Sequence, residues 1–300
     1  MLPYKIQPVD SFQNLKERVD RFFKETSRHS KPRRQLLLDL INPRTGKDQT
    51  IGKHKTPASL LDFISNLSPQ TEIFLFGGAL RDLAIFGKRG FHSDIDIVVE
   101  GDWFTCSSYI QSLGAQKNKF GGFRLEISGR PIDIWHAKET WAIRQGLIKY
   151  KDISSLTETT ILNWDAILMN WRTRDILCHK DYLSTLQERR MDIVLLENPN
   201  PLGAAVRVFR HLCSKDAKSI TQATAEYLSN STTAYTLDQL ITYEISSHGC
   251  TFIEPAIYEL FKEMKNLEEL QIQERFRKAS ENLKKNGKTL SYQQLELEYK

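Results

Sequence analysis

The sequence has few cysteines, and no two of them are close together. The four cysteines of this 300-residue chain form no Cys-x-x-Cys pair, so neither a structural zinc site nor a disulfide framework is indicated, and we expect reduced thiols. No stretch approaches the roughly 20 apolar residues that cross a bilayer, and the N-terminal MLPYKIQPVD has no apolar segment after its basic residue. These absences predict a soluble, cytoplasmic protein with no membrane partner.

Several catalytic signatures are also missing. The patterns HExxH and GxSxG do not occur, and neither does GxGxxG or GxxxxGK[ST], which leaves zincin, serine hydrolase, Rossmann and P-loop chemistry without support. A strong charge imbalance is missing too, since 42 basic and 37 acidic residues give a net charge of +5 at pH 7. Such a mild excess is not in itself a nucleic-acid signature.

Hydrophobic periodicity predicts an α+β fold with a small mixed sheet and flanking helices, followed by an all-helical remainder. A helix is expected from about residue 10 to 26, and FRLEISGRPIDIW is typical of a β-hairpin. ETTILNWDAILMNW is interpreted as a helix, and QLLLDLINPRTGKDQTIG as extended chain. The predicted divisions are an N-terminal extension, the sheet-containing head, a neck-like helical region and a helical C-terminal domain, at 1–55, 56–140, 141–212 and 213–300.

Two aspartates lie on an otherwise apolar predicted strand within FLFGGALRDLAIFGKRGFHSDIDIVVEG. Side chains alternate along a strand, so Asp94 and Asp96 share one face. Two neighbouring carboxylates in a partly buried site repel each other unless a cation intervenes, and hard oxygen ligands favour Mg²⁺. The alternative is a pair of solvent-facing carboxylates on an exposed sheet face.

A third carboxylate, Asp133, has the same apolar-Asp-apolar setting in PIDIW, the second strand of the predicted hairpin. If this strand neighbours the first, the three carboxylates converge. Three carboxylates on adjacent strands can hold two metal ions roughly 4 Å apart, one for an attacking hydroxyl and one for a triphosphate. The sequence thus predicts a two-metal Mg²⁺ site for nucleotidyl transfer from an NTP.

Two glycines, Gly77 and Gly78, join the strand EIFLF to the predicted helix ALRDLAIFG. Glycine lets the backbone approach an anion closely, and the start of a helix attracts negative charge. Arg81, one turn into the helix, can add positive charge. Taken alone, a Gly-Gly before a helix is more often only a tight turn.

Together these residues resemble the head domain of the class II tRNA nucleotidyltransferase and bacterial poly(A) polymerase family, within the DNA polymerase β superfamily. That family has Gly-Gly-x-Val-Arg-Asp before a helix and Asp-x-Asp on the next strand. FGGFRLEISGRPIDIW is similar to its hairpin, LNWDAILMN to its neck segment, and NPNPLGAAVRVFRHL to a later helix. The resemblance implies that Asp94 and Asp96 bind catalytic metals, and that Gly77, Gly78, Arg81 and Asp82 hold the nucleotide triphosphate.

The sequence departs from the family at the positions that select the base. Thr159, Thr160 and Ile161 stand where the family has Arg-Arg-Asp, and NPNPLGAAVR stands where it has Glu-Asp-x-x-Arg. Arg207 and Arg210 follow as candidate nucleotide or RNA contacts, although a surface-helix role is equally compatible with the pattern. The nucleotide preference of the family therefore does not carry over.

Three functional hypotheses remain at this point. The first is a Mg²⁺-dependent transfer of a nucleoside monophosphate to an RNA 3′ end, with tRNA as the expected partner and pyrophosphate as the product. The second keeps the chemistry but uses a protein or nucleotide acceptor, in a toxin or defence role. The third is a nucleotide-binding regulator, with or without a protein partner, that does not turn over.

Overall fold

The computed structural model describes residues 7–28, 54–215, 217–264 and 267–285. The first helix, α1 (Phe12–Arg28), confirms the helix expected near residues 10–26. Its apolar side chains Leu15, Val19 and Phe22 are all buried, as their helical spacing requires. The extended segment predicted at residues 35–52 lies outside the described residues.

Helix α2 (Pro57–Ser65) begins as its sequence predicts. Thr56 is the N-cap, its hydroxyl accepts from the Ser59 N–H, and Pro57 occupies the first turn. Proline is favoured there because the first helical N–H groups have no partner within the helix. The chain then enters β1 (Glu72–Phe76), whose last four residues are buried.

A seven-stranded mixed sheet forms the centre of the N-terminal part. Its strands after β1 are β2 (Ile95–Glu100), β3 (Gln116–Lys117), β4 (Phe123–Ile127), β5 (Arg130–His136), β6 (Ile167–Asn170) and β7 (Ile176–Cys178), in the order β3-β4-β5-β2-β1-β6-β7. Only β2 and β5 pair in parallel; the other neighbours are antiparallel. The predicted α+β class with a mixed sheet is confirmed.

Among the described residues, three helices belong to this sheet-containing part besides α1 and α2. They are α3 (Gly78–Phe86), α4 (Trp103–Ser112) and the short α5 (Trp141–Arg144). The predicted hairpin is β4 and β5, joined at Ser128 and Gly129, which both have positive φ. This backbone matches the twist of an antiparallel pair and fixes its register. The hairpin places its second strand beside β2.

The hydrophobic core on one face of the sheet combines residues that are far apart in the sequence. Phe74 and Phe76 of β1 pack with Val98 of β2 and Leu168 of β6, together with Ala137, Ile153 and Leu156. Burial of apolar surface in such a core stabilises the folded state by about 25 cal/mol for each Å² removed from water.

The rest of the chain is mainly helical, as predicted. Its elements are α6 (Tyr182–Gln187), α7 (Pro201–Ser214), α8 (Gln222–Ala234), α9 (Leu237–His248), α10 (Pro255–Glu263) and α11 (Glu269–Lys285), with a two-stranded pair of β8 (Arg190–Met191) and β9 (Ser219–Ile220). Among the described residues, none of these helices, nor any in the N-terminal part, combines the length and apolarity that a membrane span needs.

The helix predicted for ETTILNWDAILMNW is wrong. Residues Asn163–Asp165 form a 3₁₀ turn and Ile167–Asn170 form β6, which pairs with β1. All four residues of β6 are buried, so the strand shows no polar alternation. A short apolar run of this kind cannot be told from a buried helix by periodicity.

The chain divides into two compact units. Counting only described residues, one contains Met1–Asp10, Glu158–Ala166 and His179–Lys300, and the other contains Ser11–Thr157 and Ile167–Cys178. We call the latter the sheet unit and the former the helical unit. The predicted boundaries at residues 55, 140 and 212 stay predictions, but β6 and β7 belong to the sheet unit.

Candidate active site

Two of the three predicted carboxylates lie on neighbouring strands of the sheet unit, and the third lies directly before one of these strands. Asp96 on β2 is paired in parallel register with Asp133 on β5, and Asp94 lies two residues before Asp96. The residues that alternate with them, Ile95 and Ile97, are fully buried. The acidic side chains therefore share the face of the sheet opposite to these isoleucines.

A cation that the sequence analysis did not single out joins two of these carboxylates. Arg124 on β4 lies opposite Asp133 in the hairpin register. Its Nη1 donates to Asp133 Oδ2 at 2.8 Å, and its Nη2 donates to Asp94 Oδ2 at 2.7 Å. The convergence of Asp94 and Asp133 is thus observed, with a guanidinium between them.

The electrostatics of the site follow from this arrangement. Burial raises the pKa of Asp133, the charge of Arg124 lowers it in part, and the charge of Asp94 raises it further. Burial alone would lower the pKa of Arg124, but the hydrogen bond to Asp94 and the charges of all three aspartates raise it overall. Arg124 is therefore held in its charged form by the carboxylates around it.

The site suits Mg²⁺ in its donor chemistry, because carboxylate oxygens are the ligands that this ion prefers. Within the part of the chain that the structure describes, however, no group of three or more His, Cys, Asp or Glu side chains is placed to hold a metal ion. One or two carboxylates suffice when substrate phosphates complete the coordination. The residues fit an ion that arrives with a nucleotide, and the predicted two-metal geometry stays a prediction.

The predicted glycine turn lies at the end of β1, beside these carboxylates: Phe76, the last residue of β1, pairs with Asp96. Gly77 has φ 66° and ψ −123°, a backbone conformation that L side chains rarely adopt. Its N–H donates to the Ile167 carbonyl at 3.0 Å, so this backbone donor already has an acceptor within the sheet unit. Helix α3 begins at Gly78 directly after it.

Arg81 and Asp82, which the resemblance assigns to the nucleotide, are both buried, and their contact with a nucleotide stays a prediction. Asp82 is 0% exposed and Arg81 is 5% exposed. The Asp82 carboxylate accepts from Arg81 Nε at 3.0 Å, from the Ser93 hydroxyl at 2.8 Å and from the His92 N–H at 3.2 Å. We call these four residues the Asp82 network. It ties α3 to the loop that carries Asp94, so Asp82 acts on the site through the backbone.

Gly78 leaves room for this network. A Cβ at Gly78 would lie 2.9 Å from Ser93 Oγ and 3.4 Å from Arg81 Nη2. The first distance is shorter than real Cβ contacts, and Ser93 cannot move away freely because its hydroxyl is bonded to Asp82 and to Arg81. The helix start therefore requires glycine for a close approach.

We expect Gly78→Ala to destabilise the protein by about 1–3 kcal/mol through overpacking, although alanine is otherwise the better helix former. In a Ser93→Gly background the obstructing side chain is gone, so the same substitution should cost less. A double-mutant cycle in urea measures this coupling. Equal costs in the two backgrounds would show that the clash with Ser93 does not decide the effect.

The candidate arginines of the later helix belong to the helical unit. Arg207 on α7 is exposed. Arg210 donates to Glu244 Oε1 at 2.7 Å and stacks on Phe252 with its guanidinium carbon 4.5 Å from the ring centroid. Glu244 is 0% exposed and also accepts from the backbone of Phe252 and Ile253. Arg210 thus stabilises the segment after α9, while Arg207 remains a candidate contact.

Comparisons with known proteins give only distant matches. No family model and no curated protein matches the chain. Similar solved structures include a tRNA-processing enzyme in apo form (14% identity, TM-score 0.46, covering 72% of this chain and 60% of that one). A tRNA nucleotidyltransferase with a primer tRNA and an incoming ATP analogue has 15% identity and a TM-score of 0.44, and the match covers 73% of this chain and 60% of that one. The Thermotoga maritima CCA-adding enzyme with tRNA has 18% identity and a TM-score of 0.44, and the match covers 77% of this chain and 53% of that one.

The chain spans between 53% and 60% of the length of these neighbours. Similarity of this degree says nothing by itself about activity or substrate. Function has to be argued from the residues of the site.

Proposed function

We propose that the protein is a nucleotidyltransferase that transfers a nucleoside monophosphate from an NTP to the 3′ end of an RNA and releases pyrophosphate. The observation that carries the proposal is the parallel register of Asp96 with Asp133, with Asp94 on the same face and the Gly77-Gly78 turn at the end of the adjacent strand. A tRNA is the first acceptor to test, because the sequence motifs resemble those of tRNA nucleotidyltransferases.

In the proposed reaction the 3′ oxygen of the acceptor attacks the α-phosphorus of the NTP. The bond from that phosphorus to the oxygen leading to the β-phosphate breaks, and the hydroxyl proton is lost to solvent. The positive end of α3 favours the triphosphate, and the Asp82 network keeps the Asp94 loop against this helix. Asp94, Asp96 and Asp133 would hold Mg²⁺, which when bound neutralises phosphate charge and makes the attacking hydroxyl more acidic.

The direct test incubates the full chain with each of the four α-labelled NTPs, Mg²⁺ and total RNA. We expect the label in RNA, and purified tRNA should be labelled when it replaces total RNA. EDTA should abolish the labelling. Absence of label in every product and with every NTP, from protein that is folded by circular dichroism, would contradict the proposal and favour a non-catalytic nucleotide-binding regulator.

A protein or nucleotide acceptor is the second candidate, and the residues at the expected base-selecting positions favour it. Thr160 is buried and its hydroxyl donates to the Leu162 carbonyl at 3.0 Å, so this side chain is not arranged to read a base. The stretch NPNPLGAAVR contains neither of the two acidic residues of the family's Glu-Asp-x-x-Arg. Label in protein or in a small soluble product, with RNA unlabelled, would favour this candidate over RNA transfer.

A further inference from the structure

Arg124 forms a bridge between two strands that carry the acidic residues. Its two terminal nitrogens donate to two different carboxylates, one on the loop before β2 and one on β5. A planar guanidinium has several donors in a fixed arrangement, so it can satisfy both acceptors at once, whereas a lysine ammonium cannot match that geometry. The bridge is thus specific to arginine.

The oxygens that Arg124 occupies are those that a divalent ion would need. Asp94 and Asp133 each use Oδ2 for the guanidinium, and Asp96 acts on the same guanidinium through its charge. A metal ion bound by Asp94 and Asp133 would bring like charge next to Arg124 and would compete for those lone pairs. Metal binding at these two oxygens therefore competes with the contacts of Arg124.

Arg124 is also able to leave. Its side chain is 50% exposed, against 21% for Asp133, and exposed ion pairs contribute only about 0.2–1 kcal/mol each. The hairpin that carries it holds its backbone through β4–β5 pairing, which does not depend on the guanidinium. The side chain can rotate into solvent without unfolding the strand.

We infer that Arg124 is a built-in cation that competes with divalent metal for Asp94 and Asp133, so that the free protein binds a divalent ion weakly. The inference rests on the proposed function only in taking these carboxylates as metal ligands. It explains how three acidic side chains share one sheet face before a nucleotide arrives. Arg124 thus lowers the metal occupancy of the aspartates in the absence of nucleotide.

The test measures Mn²⁺ binding to the full chain without nucleotide, by calorimetry and by electron paramagnetic resonance of the free ion. Arg124→Gln should bind Mn²⁺ at least about tenfold more tightly than the wild type, because a charge next to the ligands is removed. Arg144→Gln is the matched control: Arg144 is also half exposed and forms an ion pair with Glu139 at 3.4 Å. It should bind Mn²⁺ like the wild type.

Two further variants keep the result interpretable. Arg124→Lys retains the charge but not the bridge, and should give an intermediate affinity. Adding Asp94→Asn to Arg124→Gln should remove the gain, which assigns it to this site. Circular dichroism checks that each variant is folded.

A second readout follows the side chain itself. In the wild-type protein, Mg²⁺ should shift the Nε–Hε resonance of Arg124 towards that of a solvated arginine, with the resonance assigned by its loss in Arg124→Gln. A merely structural arginine would not respond to Mg²⁺ in this way.

Equal Mn²⁺ affinities for Arg124→Gln and the wild type would overturn the inference. So would undetectable binding to both, since removal of the competing cation should reveal the site. Neither result decides whether nucleotides are transferred, because the labelling experiment measures that separately. The two proposals can therefore fail independently.

Discussion

Replacing Asp96 by asparagine is expected to lower the rate of nucleotidyl transfer by roughly a thousandfold, which corresponds to about 4 kcal/mol of lost charge stabilisation. Asp96 is central to the site, since it pairs with Asp133 across β2 and β5 and with Phe76 at the end of β1. Asparagine keeps the size of the side chain and removes its charge. The initial rate of labelled nucleotide incorporation measures the effect.

Glu126→Gln provides the control for this prediction. Glu126 is an exposed carboxylate on β4, two residues from Arg124 and paired with Pro131 rather than with an aspartate. Its replacement removes one negative charge from the same sheet and should leave the rate unchanged. A rate for Asp96→Asn close to that of the wild type would show that the carboxylates are not the reacting site.

Replacing Asp82 by alanine is expected to destabilise the protein by about 3–5 kcal/mol, because it leaves a buried arginine without its counterion. Asp82 is fully buried, and its carboxylate accepts from Arg81, His92 and Ser93. Loss of these bonds also leaves donors unsatisfied. Urea unfolding followed by circular dichroism measures the change in the free energy of unfolding.

An ion pair at the surface of the sheet unit is the comparison for Asp82. Glu139 lies 3.4 Å from Arg144, and the two side chains are 41% and 51% exposed. Glu139→Gln should change the free energy of unfolding by less than about 1 kcal/mol. If Asp82→Ala cost no more than Glu139→Gln, the Asp82 network would not be what fixes the loop before Asp94.

Local signals in the sequence predicted much of the sheet unit. The apolar face of α1 is set by neighbours in sequence, and the predicted helix is confirmed. The hairpin was predictable because alternation and a tight turn fix its register. The shared face of Asp94 and Asp96 follows from the same alternation.

Most of the structural features that the sequence did not predict depend on pairing between segments far apart in the chain. Strand β6 pairs with β1, far earlier in the chain, and its continuous apolar pattern is compatible with a helix as well. The sequence also did not predict the burial of Asp82, because an Arg-Asp pair at the start of a helix is common on protein surfaces. Only its contacts with His92 and Ser93 distinguish it.

Arg124 was within reach of sequence reasoning but was missed. Once the turn is placed at Ser128 and Gly129, pairing outwards from Ile127 and Arg130 puts Arg124 opposite Asp133. The contact with Asp94, in contrast, depends on the parallel pairing of β2 with β5. That pairing joins segments which no local pattern connects.

The sheet unit is discontinuous in sequence, since the chain leaves it after Thr157 and returns for Ile167–Cys178. A fragment ending at residue 157 would lack β6, and β1 would become an exposed edge, a known route to aggregation. The Gly77 N–H would also lose its acceptor, the Ile167 carbonyl. During synthesis on the ribosome, the turn beside the carboxylates can therefore reach its final form only after β6 has emerged.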